Sequence, residues 1–110
     1  MATKMLDFSK SKKPTLPIKF DDGSMIYIYT PSKGEIEEML DASEFFDSAI
    51  EGDREAINKL YEITARLMCN NKMGREITVD ELAGYFDITD VVVFFRGYSE
   101  FISEVTQAKN

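Results

Sequence analysis

The sequence predicts a mainly α-helical α+β domain, in which an N-terminal two-stranded β-hairpin precedes about four helices packed round a long C-terminal helix. The strongest indication is residues 87–108, where apolar side chains return at helical spacing. Residues 57–68 repeat apolar side chains every three or four positions, as an amphipathic helix does. Two β-rich runs, residues 15–20 and 24–29, flank an Asp-Asp-Gly sequence typical of a hairpin turn.

Composition and charge indicate one globular domain with a tail. The chain has 110 residues, of which 44% are hydrophobic and 30% charged, enough for a single core. We therefore expect a flexible basic N-terminal arm over residues 1–13 and one hairpin-plus-helical domain over residues 14–110. The arm carries a net charge of +3, which leaves −10 for the rest of the total of −7. Such an acidic body argues against nucleic-acid binding.

The arm itself has two interpretations. It is either a solvated leader that keeps the chain in solution, or a segment that grips a neighbouring chain through Met5, Leu6 and Phe8.

Residue types exclude most familiar catalytic and metal sites. The chain has no histidine and one cysteine, Cys69, so zinc sites, internal disulfides and Cys/His or Ser/His catalysis are not expected. Adjacent carboxylates such as Asp80 and Glu81 point apart on a helix, and their spacing does not fit a calcium-binding EF-hand loop. We expect no catalytic, cofactor or metal site. Without a membrane-spanning run or a signal peptide, a cytosolic protein is expected.

The hairpin is expected to pack one face on the helices. In the second run Ile26 and Ile28 point to one side, and Met25, Tyr27 and Tyr29 point to the other. Because an isolated hairpin is only marginally stable, one face must be buried, and its outer edge is expected to stay open to a partner strand.

The first helix is predicted from a capping box at Ser32 and Glu35 to about Ser48. Its expected core positions are Ile36, Met39, Leu40, Ser43 and Phe46. Phe45 falls on the opposite, acidic side. Either the helix ends early and Phe45 turns inward, or Phe45 is an exposed anchor for a partner.

Capping residues delimit the later helices. Asp53 is the expected N-cap of the second helix, Thr78 and Glu81 form a second capping box, and Asp87 or Thr89 begins the last helix. Residues 70–74 are expected to form a loop in which the glycine adopts a left-handed conformation. The short helix is expected to bury Leu82, Tyr85 and Phe86. The core stripe of the last helix comprises Val91, Phe94, Phe95, Tyr98, Phe101, Ile102 and Val105.

Three segments carry a resemblance to a protein family. They are residues 15–23 (TLPIKFDDG), 71–78 (NKMGREIT) and 94–101 (FFRGYSEF). In these phrases and in the order of its elements, the chain resembles, over residues 14–108, the small tail assembly chaperones of long-tailed phages and prophages of Gram-positive bacteria.

The resemblance implies a non-enzymatic role. Proteins of that family keep the helical tape measure protein in solution and help the tail tube protein to polymerise around it. It also implies action in the host bacterial cytoplasm, absence from the mature virion, and often a longer form made by ribosomal slippage. The last three residues, Ala108-Lys109-Asn110, permit a slippery codon run.

The family supplies no list of contact residues, so candidates come from the sequence pattern. Val92 and Val93 lie off the core stripe of the last helix, where burial requires the hairpin or another molecule. On the first helix, the aromatic side chain of Phe45 falls among acidic residues that include Glu38 and Asp41. If such apolar groups are uncovered, we expect the chain to self-associate or to bind a helix.

An alternative from another class is a small acidic inhibitor or adaptor that binds a basic protein, for example as a nucleic-acid mimic. The first helix has the negative net charge that binding to a basic protein requires, since it carries six acidic residues and one basic residue, Lys33. These acids are Glu35, Glu37, Glu38, Asp41, Glu44 and Asp47. A mimic would bind with strong salt dependence, whereas a chaperone that relies on apolar contacts would not.

Overall fold

The computed structural model describes residues 5–9 and 13–107 and confirms the predicted fold class. An antiparallel hairpin precedes helices, the last of which is the longest. In chain order the elements are β1 (Thr15–Lys19), β2 (Met25–Tyr29), α1 (Lys33–Ala42), a 3-10 turn (Ser43–Phe45), α2 (Phe46–Ile50), α3 (Arg54–Met68), α4 (Val79–Tyr85) and α5 (Ile88–Gln107). The predictions of a flexible arm and of the C-terminal tripeptide fall partly or wholly on residues 1–4, 10–12 and 108–110, which lie outside the described residues.

The hairpin turn forms where the Asp-Asp-Gly sequence predicts it. The amide of Phe20 donates to the Ser24 carbonyl at 2.8 Å, and the amide of Gly23 donates to the Phe20 carbonyl at 2.9 Å. Gly23 has a φ of 90°, which a residue with a Cβ rarely adopts. Ile26 and Ile28 are fully buried, so the predicted inner face of β2 is confirmed.

The two edges of the hairpin differ, and the expectation of an open outer edge is wrong for β2. The Tyr29 amide donates to the Asn70 carbonyl at 2.9 Å, and the Lys72 amide donates to the Tyr27 carbonyl at 2.8 Å. The loop after α3 therefore covers this edge.

On β1, backbone groups alternate between the partner strand and the free edge. The hydrogen bond from the Phe20 amide to the Ser24 carbonyl fixes which residues of β1 direct their backbone groups to β2. By this alternation the nitrogen of Pro17 is directed to the free edge, where proline offers no donor.

The predicted first helix is interrupted. Its capping box is confirmed by bonds from the Glu35 amide to Ser32 Oγ and from the Ser32 amide to the Glu35 carboxylate. α1 nevertheless ends at Ala42, and the Ser43 hydroxyl donates to the Leu40 carbonyl at 2.7 Å, a local bond that competes with helix continuation.

The prediction of Leu40 and Ser43 as core positions is wrong, because Leu40 is 58% exposed and Ser43 is also exposed. Ala42 is buried instead. Burial follows a three-residue spacing through Ile36, Met39, Ala42 and Phe45, which suits a tightening into the 3-10 turn.

The remaining helix starts follow their capping residues. The Asp53 side chain accepts from an amide of the first turn of α3, and Asp87 and Asp90 exchange reciprocal bonds at the start of α5. Thr78 Oγ1 accepts from the Glu81 amide, but the Glu81 carboxylate turns to another partner, so this capping box is half formed.

The core lies between the hairpin, α3 and α5, and α3 contacts every other helix. The stripes predicted for the second and last helices are buried or half-buried throughout. Within the stripe of α5, the rings of Phe94 and Tyr98 stack with centroids 5.4 Å apart.

A polar network ties the loop to the hairpin turn. The Arg75 guanidinium donates to Glu81 Oε2 at 2.5 Å and lies 5.1 Å from the centre of the Phe20 ring. The Tyr85 hydroxyl donates to Asp22 Oδ2 at 2.7 Å. Gly74, with a φ of 67°, provides the predicted left-handed residue of the loop.

Candidate functional site

The off-stripe residues of α5 line two separate apolar grooves. Val92 faces α2, and Val93 faces β1. We call the first the α2–α5 groove; its lining consists of Phe46, Ile50, Val92, Phe95, Arg96 and Ser99. The second, the β1–α5 groove, lies between residues 16–19 of β1 and residues 93–97 of α5, with Phe86 and Asp90 at one end.

The α2–α5 groove is a cavity of about 260 Å³ with an apolar floor. The rings of Phe46 and Phe95 meet edge to face, with centroids 5.3 Å apart and planes at 82°. Ile50, at the end of α2, is 69% exposed. Arg96 and Ser99 provide polar groups at the rim. A groove between two helices with apolar walls and a polar rim suits apolar side chains of a third helix.

The β1–α5 groove has a volume of about 340 Å³ and is open along the free edge of β1. Val93 is 55% exposed beside it. Lys19 and Asp90 place one charge of each sign at its margin. Gly97 adds no side chain to the helix surface here, and a Cβ at this position would meet no heavy atom within 4 Å.

A third, polar groove of about 740 Å³ lies where α1 begins and α3 ends. Glu38 forms an ion pair with Arg66, and the Asn70 side-chain amide donates to Glu35 Oε1 at 3.0 Å. Lys13, where the described body begins, also lines this groove. Its charged groups bond mainly to one another, which makes it a structural junction between α1 and α3.

The predicted partner-binding residues are not brought together. Phe45 is half-buried against the core, as the first of its two interpretations expects, and Glu38 is engaged with Arg66. Asp41 is exposed on α1. Val92 and Val93 lie in different grooves.

Sequence reasoning missed Ile50, the most exposed large apolar residue of the helical body. The available signal was its position immediately before Glu51 and Gly52, where the helix ends and a side chain loses its neighbours.

An acidic stripe runs along the outer side of α1 and into the 3-10 turn that follows it. Glu37, Asp41 and Glu44 are all exposed and recur at spacings of four and three residues, which places them on one face. Lys33 lies 3.1 Å from Glu37, but both side chains are largely solvated, so the pair contributes little. The stripe therefore keeps most of its negative charge.

Among the described residues, Asp22 and Tyr98 have the most strongly shifted pKa values. Hydrogen bonds from the Ser24 hydroxyl and amide, followed by that from Tyr85, lower the pKa of Asp22 to about 2. Burial, and to a smaller extent the charge of Glu35, raises the pKa of Tyr98 well above its usual value. Asp22 stabilises the hairpin turn and Tyr98 lies in the core.

Within residues 5–9 and 13–107, no three His, Cys, Asp or Glu side chains converge as metal ligands would. Cys69 is exposed, and its thiol bonds to the backbone amide and carbonyl of Ile77 at 3.3 Å each. No helix in the described part of the chain combines the length and apolar character that crossing a membrane requires.

No protein-family model, no curated protein and no solved structure matches this chain.

Proposed function

We propose that the chain is a non-enzymatic phage tail assembly chaperone that binds the tape measure protein in the host bacterial cytoplasm and assists assembly of the tail tube. The observation that carries this proposal is the α2–α5 groove, an unfilled apolar surface between two helices. A tape measure chain, as a long helical protein, presents the complementary apolar helix faces.

The placement of the resembling segments supports the same proposal. Phe20 of residues 15–23 contacts Arg75 of residues 71–78, and β1 faces Phe94 and Gly97 across the β1–α5 groove. The three segments thus adjoin in space although they are far apart in sequence.

The negative charge of the body that carries the α2–α5 groove also suits a chaperone. The acidic stripe of α1 contributes to the net negative charge of the body, which opposes uncontrolled association between copies that carry exposed apolar surface. An apolar groove bordered by charge can therefore hold an apolar helix while the complex stays in solution.

The first test is the gene neighbourhood followed by co-expression. A long, helix-rich reading frame is expected directly downstream, and co-expression with this chain should raise the fraction of its product that stays in solution. Ile50→Ser should abolish that effect, because it places a polar group at the mouth of the groove.

Leu40→Ser is the matched control, since Leu40 is similarly exposed but does not line the groove. Absence of such a reading frame, or equal loss of effect with both variants, would contradict the proposal.

The acidic stripe favours a second candidate, an inhibitor or adaptor that occupies a basic surface. Neutralising it in a Glu37→Gln, Asp41→Asn, Glu44→Gln variant should abolish binding to a basic partner, and wild-type binding should weaken steeply with added salt. The chaperone proposal expects the opposite result, with binding little changed by salt or by this variant.

A further inference from the structure

The N-terminal arm carries three large apolar side chains that the body does not cover. Met5, Leu6 and Phe8 are 82%, 72% and 76% exposed, and none belongs to the core cluster. Residues 5–9 adopt no helix or strand of their own. Clustered apolar groups that remain in water mark a contact surface.

The β1–α5 groove has the form that an extended segment needs. One wall is the free edge of a strand, and the other is α5 at Val93 and Gly97. Glycine is among the poorest helix formers, yet Gly97 lies in the middle of the longest helix. Packing within the domain does not require it, because the space beside it is open. A segment from outside that passes close to α5 would require it.

We propose that residues 5–8 of a second copy of this chain lie extended along the free edge of β1. Side chains alternate along an extended segment, so Leu6 and Phe8 would face Val93 and Gly97 while Asp7 faces outward. On that outward side Asp7 would meet Lys19, which has no ion-pair partner within the described ranges.

Net charge supports the same pairing of arm and body. The arm has a net charge of +3 and the rest of the chain −10, so the arm of one copy is attracted to the body of another. Asp90 adds a negative charge at the margin of the groove.

The structure also restricts the alternatives. The described residues 5–9 do not line the groove of their own domain, although the covalent link favours that contact. Pro17 removes a backbone donor from the middle of the β1 edge, which disfavours pairing of β1 with β1 from another copy. Contact therefore depends on the side chains of the arm. This inference does not rest on the proposed function.

Sedimentation of the full chain from micromolar to near-millimolar concentration tests the proposal. We expect reversible self-association, with the dissociation constant raised by about tenfold or more in Phe8→Ser and in Gly97→Leu, the latter filling the groove. The matched control is Gly84→Leu, because Gly84 is a helical glycine with open space beside it outside the groove. It should associate as the unmodified chain does.

Mixing the two defective variants distinguishes arm exchange from other modes. Gly97→Leu keeps an intact arm and Phe8→Ser keeps an intact groove, so the mixture should associate more tightly than either variant alone. A monomer at every concentration, or association unchanged by both variants, would overturn the proposal. So would a monomer whose arm amides are protected from hydrogen exchange, which would show that the arm folds back on its own domain.

Discussion

Replacing Tyr98 by phenylalanine is expected to stabilise this protein, although the change removes an atom from the core. Tyr98 is fully buried in α5, and no polar atom of the described residues lies in hydrogen-bonding position to its hydroxyl. The ring is held by stacking on Phe94, which the substitution retains. The perturbation therefore removes a buried polar group and little else.

The magnitude follows from the cost of that hydroxyl. A buried polar group without a partner costs about 1–3 kcal/mol, and the dispersion contacts of one oxygen atom return only part of that. We expect a net stabilisation of about 1 kcal/mol. For a domain of this size such a gain raises the melting temperature by roughly 4–8 °C.

Tyr61→Phe is the matched control, because its hydroxyl donates to the Phe86 carbonyl at 2.8 Å. Loss of this bond should cost about 0.5–1.5 kcal/mol. Chemical denaturation of both variants measures the two changes in the free energy of unfolding. The slope of that free energy against denaturant concentration should be unchanged. Opposite signs are expected. If Tyr98→Phe destabilises the chain as much as Tyr61→Phe does, its hydroxyl is hydrogen-bonded in solution and the reasoning fails.

Further perturbations test the core, the loop and the titrating groups. Phe95→Ala should cost about 3–5 kcal/mol in thermal melts as a core truncation, and Phe45→Ala clearly less because Phe45 is half-buried; equal costs would contradict this. Asn71→Ala should lower the free energy of unfolding by about 2–4 kcal/mol in denaturation, because the buried Asn71 side chain makes three hydrogen bonds that close the loop. A loss as small as that of a surface substitution would contradict this role. In an acid titration of stability, the pKa of Asp22 of about 2 lies below its unfolded value, so its contribution is present above pH 3.8 and is lost as the pH falls towards 2; Asp22→Asn should flatten this region. The pKa of Tyr98 is raised, so stability should decline as the pH rises above about 10, and Tyr98→Phe should lessen the decline.

The sequence predicted those parts of the fold in which local signals agree. The hairpin turn, the N-caps and the stripes of α3 and α5 all lie where periodicity and capping chemistry place them, because each depends on neighbours within a few residues. The end of α1 at Ala42 was harder to predict from the sequence. It depends on the Ser43 hydroxyl bonding to the backbone and on a burial spacing of three, which the regular helical pattern obscures.

The grooves could be predicted only in part. Val92 and Val93 stood out because they leave the core stripe, but their assignment to different grooves depends on how α2 and β1 pack on α5. The pairing of Glu38 with Arg66 joins α1 to α3, a tertiary contact that the spacing of charges along one helix does not reveal.

The bonds between β2 and the loop after α3 give the chain an internal closure. The Tyr29 amide and the Asn70 carbonyl join the two ends of a segment that contains α1, α2 and α3. Closing a segment of that length costs conformational entropy that only the packed helices can offset. Native-state hydrogen exchange at the amides of Tyr29 and Lys72 should therefore report the unfolding of the whole domain, whereas amides near the hairpin turn open locally.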